Sequence, residues 1–233
     1  MARFKKQRTL TVMEETGFVP VFYHADFAVV KNIVAACHAG GACAIEFTNR
    51  GDFAADLFGD LERYVRAELP DIILGVGSIV DPYIAAMYIS RGVNFVVGPM
   101  FNREVAKICN RHAIPYMPGC GSATEIQEAQ EAGCDIVKVF PGDSVGGPNF
   151  VKSVKGPMPW TQIMPTGGVS PTRESLAAWF GAGITCAGIG SNLITKEIVA
   201  SGDWKALTDA VVRTRTIIAE VRRTEHVEAR TAK

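Results

Sequence analysis

Eight short apolar segments alternate with helical ones along the 233 residues, and no linker-like stretch separates any group of them. No G-x-G-x-x-G follows the first segment, as an open dinucleotide-binding sheet would favour. Together these observations predict one α/β domain over residues 1–233, folded as a closed (β/α)8 barrel of the TIM type. A chain of this length can bury one large core.

The elements follow in order. Residues 1–16 form a polar N-terminal segment, and residues 18–23 (FVPVFY) read as the first strand. Residues 25–39 have helical spacing, with Phe27, Val30, Ile33, Val34 and Cys37 on one side, and Gly40-Gly41 ends them. The second strand is 43–48. Asp52 is expected to cap the next helix, whose Phe53, Phe58, Leu61 and Val65 share a face until Pro70 stops it. Residues 72–75, 95–97 and 114–117 are the third to fifth strands, with helices near 81–90 and 102–112 between them. Ser122 and Glu125 make a capping-box pattern that opens a helix to Ala132. The sixth strand, 136–140, is followed by a short helix at 149–155, and the seventh strand is 162–165. Ser170-Pro171 places a capping residue before a first-turn proline, in a helix ending at Gly181 or Gly183. Residues 185–188 are the eighth strand, 192–200 and 204–223 are helical, and the charged tail from Thr224 is expected to fray.

Lys+Arg 24 balances Asp+Glu 24, so charge gives no case for nucleic acid or a membrane surface as partner. No apolar run approaches the roughly 18 residues needed to span a bilayer. The basic start lacks the apolar run and cleavage site of a secretory signal. Six scattered cysteines without a C-x-x-C pair fit a reduced, cytoplasmic setting. No histidine or carboxylate spacing suggests a metal, and no cofactor is expected.

The sixth strand carries the chemistry. Alternation puts Lys138 on one face with Ile136 and Phe140, and Val137 and Val139 on the other. Both faces are apolar, as in a parallel sheet covered by helices. A lysine there is costly unless paired, and burial lowers its pKa towards a free amine able to attack a carbonyl. The plain alternative is a strand-end lysine reaching water or a structural carboxylate. Other polar residues collect where strands end and loops begin, the functional face of such a barrel. Glu46 shares a face with Ala44 and Thr48, and Arg50, Ser78, Pro99 and Thr166 close neighbouring strands. Glu46 and Lys138 form either a buried ion pair or a proton shuttle beside an imine-forming amine. Arg50 has the donor fork for a carboxylate, or is a solvated loop cation. Backbone amides of Gly167-Gly168, and of Gly190-Ser191 at a helix N-terminus, can converge on an anion, or are two tight turns. His24 reads as a satisfied loop residue, Cys120 as packing, and Trp160, Trp179 and Trp204 as packing or interface residues.

In chain order these residues occur as IEFTNR at 45–50, GVGS at 75–78, PG at 118–119, KVFP at 138–141, PTGG at 165–168 and GIGS at 188–191. The ordered set resembles the 2-keto-3-deoxy-6-phosphogluconate (KDPG) / 4-hydroxy-2-oxoglutarate (KHG) aldolases over nearly the whole chain. These are class I, Schiff-base pyruvate aldolases with a (β/α)8 barrel. The resemblance implies that Lys138 forms the imine and that Glu46 transfers protons. Arg50, Thr166 and Ser78 would hold the pyruvyl carboxylate and its water, with Pro99 and Phe140 packed on the pyruvyl unit. Gly167, Gly168, Gly190 and Ser191 would bind a distal phosphate. It also implies a homotrimer, no metal, and a place in carbohydrate breakdown of the Entner-Doudoroff kind. Three departures bear on substrate choice: Ser78 for threonine, Gly142-Asp143 after the sixth strand, and Asn49 where leucine is common. Two other functions fit the same residues. One is a phosphosugar isomerase or epimerase with Glu46 as base, and the other is a non-catalytic aldolase-like assembly subunit.

Overall fold

The structure, a computed structural model, describes residues 1–231, with side chains to Thr224. Helix α1 (Lys6–Thr16) precedes β1 (Phe18–Phe22), α2 (Phe27–Ala39), β2 (Ala44–Thr48), α3 (Ala54–Glu68), β3 (Ile73–Gly77) and α4 (Pro82–Ser90). Then come β4 (Val96–Val97), α5 (Arg103–Arg111), β5 (Tyr116–Met117), β6 (Gly119–Cys120), α6 (Ala123–Glu131) and β7 (Ile136–Val139). The chain finishes with α7 (Gly147–Lys155), β8 (Gln162–Pro165), α8 (Arg173–Phe180), β9 (Ala187–Ile189), α9 (Lys196–Ser201) and α10 (Trp204–Thr231).

Short polar side chains set many of the helix starts. Asp26, Asp81, Asn102, Ser122, Thr172 and Thr195 each accept a backbone N–H of the turn they cap. Two starts differ from the sequence expectation. Thr172 caps α8 in place of Ser170, because Ser170 N–H donates to Ser175 Oγ and leaves the first turn to its neighbour. Phe53, at φ 60°, stands at the N-cap of α3 in place of Asp52. The helix expected over 192–200 begins only at Lys196, after a turn in which the Leu193 and Ile194 amides donate to the Gly190 carbonyl. The backbone of α10 runs on to Thr231, past the residue where fraying is expected; the side chains beyond Thr224 lie outside the described residues.

The strands pair in parallel as two sheets, β5-β4-β3-β2-β1-β9 and β6-β7-β8. The fifth strand, predicted at 114–117, ends as β5 at Met117, and beyond Pro118, which has no N–H to give a ladder, the extended chain continues as β6. β5 pairs with β4, β6 with β7, and the Pro118 carbonyl accepts the Lys138 amide. At the other seam Thr166 and Gly188 form an isolated parallel bridge, and the Thr185 amide donates to the Ile163 carbonyl. This is a parallel α/β architecture of the TIM-barrel type, with its strands in two sheets instead of the single eight-stranded ring of ladders that the sequence predicts.

Two apolar layers result. Strand residues facing outward (Ile45, Phe47, Leu74, Val137, Val139, Ile163) pack against the helices in one core cluster. Those facing inward (Val19, Ala44, Ile73, Phe95, Ile136, Met164) make a second cluster, which Val12 and Met13 of α1 close from below. The polar N-terminal segment is therefore a helix that plugs the interior. Among the described residues no helix is long and apolar enough to cross a membrane.

Candidate active site

Strand alternation decides what enters the interior. Ile136 lies in the inner cluster, while Val137 and Val139 lie in the outer one. Lys138 therefore faces inward one layer above Ile136, at 6% exposure. The same logic on β2 turns Glu46 inward above Ala44, at 1% exposure. Glu46 is in register with Val21 of β1 and Gly75 of β3, and Lys138 with Gly119 of β6 and Met164 of β8.

Glycines on β3 make the room. A Cβ at Gly77 would lie 1.7 Å from Glu46 Oε1, and one at Gly75 would lie 2.2 Å from the Phe95 ring. Any larger residue at 77 would expel the carboxyl group from its place.

Electrostatics leave both groups unlocked. Burial pushes the Lys138 amine below the usual lysine range; the Glu46 charge opposes this, and the Arg50 charge adds to it. Burial likewise pushes the Glu46 carboxyl up, against the pull of Lys138 and Arg50. No direct ion pair joins the two, and Glu46 Oε2 is buried without a hydrogen-bond partner. Lys138 Nζ rests 4.6 Å from the centroid of the Phe140 ring. Thr166 Oγ1 is also buried and unpartnered. Unsatisfied buried polar atoms cost about 1–3 kcal/mol each. An unpartnered carboxyl oxygen coupled electrostatically to a desolvated amine marks a site shaped for a polar ligand.

Above this layer opens a cavity of about 680 Å³, whose wall includes Arg50, Phe140, Thr166, Gly167, Gly168, Gly190 and Ser191. These predicted residues are brought together. Gly167 and Gly168 hold φ 89° and 73°, which glycine adopts without strain. The Gly167 amide faces β9 in the Thr166–Gly188 bridge, whereas those of Gly168 and Ser191 make no backbone hydrogen bond to any described residue. One element of the anion reading is corrected: Gly190 and Ser191 sit in a turn and not at a helix N-terminus, since α9 starts at Lys196. Their amides are available, but no helix dipole adds to them.

Lys138, Glu46, Ser78 and Pro99 are absent from the cavity wall. The first two lie deeper. Ser78 is half-buried at φ 63°, in the left-handed region. Pro99 is half-buried with its carbonyl against Gly119, where a Cβ would lie 2.1 Å away. His24 lines the cavity and its Nδ1 accepts the Asp26 amide, so it is satisfied as expected. Cys120 is packing: it is buried, and burial pushes its thiol up to about 12. Trp179 is a core residue, whereas Trp160 is exposed.

Sequence reasoning missed four wall residues, Tyr23, Thr48, Asn192 and Lys196. Thr48 was legible from its alternation with Glu46. Lys196 was not, because a separate helix brings it in.

The geometry can be set beside known proteins. The family described as "Aldolase: KDPG and KHG aldolase" matches residues 10–210. The chain is 32% identical over 201 residues to the 2-dehydro-3-deoxy-phosphogluconate aldolase of Pseudomonas aeruginosa, covering 86% of this chain and 88% of that one. It is 29% identical over 172 residues to the KHG/KDPG aldolase of Escherichia coli K12, covering 73% and 77%. In fold it is similar to the KDPG aldolase of Legionella pneumophila, a structure with pyruvate captured as a covalent carbinolamine intermediate. There the TM-score is 0.80 at 24% identity, over 88% of this chain and 97% of that one. With the matched region spanning most of its length, the chain belongs to the KDPG and KHG aldolase family.

Proposed function

We propose that this protein is a class I aldolase that reversibly cleaves a 2-keto-3-deoxy sugar acid to pyruvate and an aldehyde. The substrate is KDPG, giving glyceraldehyde 3-phosphate, or KHG, giving glyoxylate. The observation that carries the reading is Lys138: an amine desolvated inside the fold, without an ion-pair partner, beside an unpartnered Glu46 carboxyl group.

The Lys138 amine adds to the C2 carbonyl, and loss of water leaves an iminium ion. Glu46, directly or through a water, takes the proton of the C4 hydroxyl. The C3–C4 bond breaks, its electron pair enters the iminium to give an enamine, and the aldehyde departs. Protonation at C3 and hydrolysis release pyruvate and restore the amine. Arg50, Thr166 and Ser78 hold the carboxylate end, Pro99 and Phe140 flank the pyruvyl unit, and the loops at Gly167, Gly168, Gly190 and Ser191 take the distal anion. Neither metal nor cofactor enters any step. We also read the two sheets as one closed (β/α)8 barrel, a reading supported by the Pro118 splice and the Thr166–Gly188 bridge. A homotrimer in the cytoplasm, serving Entner-Doudoroff-type carbohydrate breakdown, completes the proposal.

The test is reductive trapping. Incubation with pyruvate and borohydride, followed by digestion and mass spectrometry, is expected to give one reduced pyruvyl adduct, on Lys138. An unmodified Lys138 would refute the proposal and favour an isomerase or epimerase using Glu46 alone.

A further inference from the structure

The loop carrying Arg50 is held from both sides. Behind it, the fully buried Tyr88 of α4 donates its hydroxyl to Asn49 Oδ1 at 2.9 Å. The Asn49 amide in turn donates to the Gly77 carbonyl at 2.9 Å, which ties the loop to the end of β3. In front, Gly51 packs so tightly on Tyr23 that a Cβ there would lie 2.0 Å from the phenolic oxygen. Arg50 stands between these two clamps. Its guanidinium makes no hydrogen bond or ion pair with any described residue, and it lines the cavity. A long exposed side chain without partners gets its aim from its backbone, because its own rotamers are free. The backbone on either side of Arg50 is fixed here by two tyrosines.

We propose that Tyr88, acting through Asn49, is a positioning residue that fixes the Arg50 backbone so that the guanidinium meets the carboxylate of the keto acid. The inference rests on the aldolase reading, and it concerns carboxylate recognition alone. Tyr88 touches neither substrate nor Lys138. Its loss therefore weakens binding of the charged end and leaves imine chemistry intact.

The experiment compares pyruvate with methyl pyruvate, which presents the same ketone without the charge, as substrates for borohydride trapping. A neutral hydrogen bond is worth enough that Tyr88→Phe is expected to raise the half-saturating pyruvate concentration about three- to tenfold. The value for methyl pyruvate should stay within about twofold, since that probe has no charge for Arg50 to meet. In an Arg50→Gln background the same substitution should add nothing, because the group it aims is gone. Asn49→Ala breaks the bond from its more exposed end and is expected to give the same selective rise, which keeps the test open if the Tyr88 variant folds poorly. An equal rise for both probes, no rise, or a full effect in the Arg50→Gln background would overturn the inference. If the parent itself gives no adduct with pyruvate, the aldolase reading fails instead.

Discussion

Ile136 and Lys138 lie two residues apart on β7 and face the same interior, yet they belong to different kinds of protein interior. Ile136 belongs to a cluster of packed apolar side chains that Val12 and Met13 of α1 close from below, and the buried side of that helix carries one unpartnered hydroxyl, that of Thr9. Lys138 instead feels the Glu46 charge and lies over the Phe140 ring, and Glu46 Oε2 has no hydrogen-bond partner. The lower layer is built as a stability device of packed apolar side chains. The upper layer gives up stability for poised chemistry: an amine and a carboxyl group are each pushed towards the neutral form, and neither satisfies the other.

The comparison breaks most completely at Lys138. Lys138→Ala removes the electron sink and is expected to abolish C–C cleavage, as read by pyruvate release from KDPG and from KHG. Retained cleavage would show that the upper layer is a structural ion pair with unusual surroundings.

Glu46→Gln comes next. It keeps shape and hydrogen bonding but cannot carry the proton, so turnover should fall by roughly two to four powers of ten. Adduct formation with pyruvate should largely survive. Turnover equal to the parent's would remove Glu46 from the mechanism.

These two residues were legible in the sequence because strand alternation is a strict rule: once β-branched residues mark 136–139 as a strand, the side of Lys138 follows. The space that lets Glu46 point inward was not legible. It depends on Gly77 of β3, which becomes a neighbour of Glu46 only in the folded sheet. The same limit hid α1, whose buried side is just Thr9, Val12 and Met13 in an otherwise polar segment. It also hid the Tyr88–Asn49 bond, whose partners are 39 residues apart. The helix wrongly expected from Asn192 shows the converse. Its spacing is helical, but the Gly190 carbonyl captures two amides in a turn first.

A smaller and more selective effect is expected at the cavity wall. Ser191→Asp brings a negative charge to the free amides there, so KM for the phosphorylated KDPG should rise about tenfold, in keeping with like-charge repulsion in a partly closed site. KM for unphosphorylated KHG should change little. Equal losses on both substrates would mean that the distal anion does not sit at Gly190-Ser191.

The gentlest test is thermodynamic and sets the two layers against each other directly. Ile136→Val removes one methylene from a packed site and should cost about 0.5–1.5 kcal/mol, with no pH dependence and full activity. Lys138→Met should do the opposite, stabilising an inactive protein. The sign follows from proton binding. Burial lowers the folded-state pKa of Lys138 below the unfolded value of 10.5, so between the two the unfolded chain holds more protons and parent stability rises with pH. Stability contributed by this amine is complete only above 10.5 and is lost as pH falls through the folded pKa. Glu46 runs the other way: its folded pKa is raised above 4.5, so stability present below 4.5 is lost as pH climbs through the folded value. Near neutrality the pair is therefore a net cost, and Lys138→Met removes the amine's share. Urea unfolding across pH should show the variant above the parent near neutrality, with the gap narrowing towards pH 10.5. A constant gap, or a variant less stable than the parent, would mean that the amine is already well paired in the folded protein, and its layer would then be no different in kind from the one below.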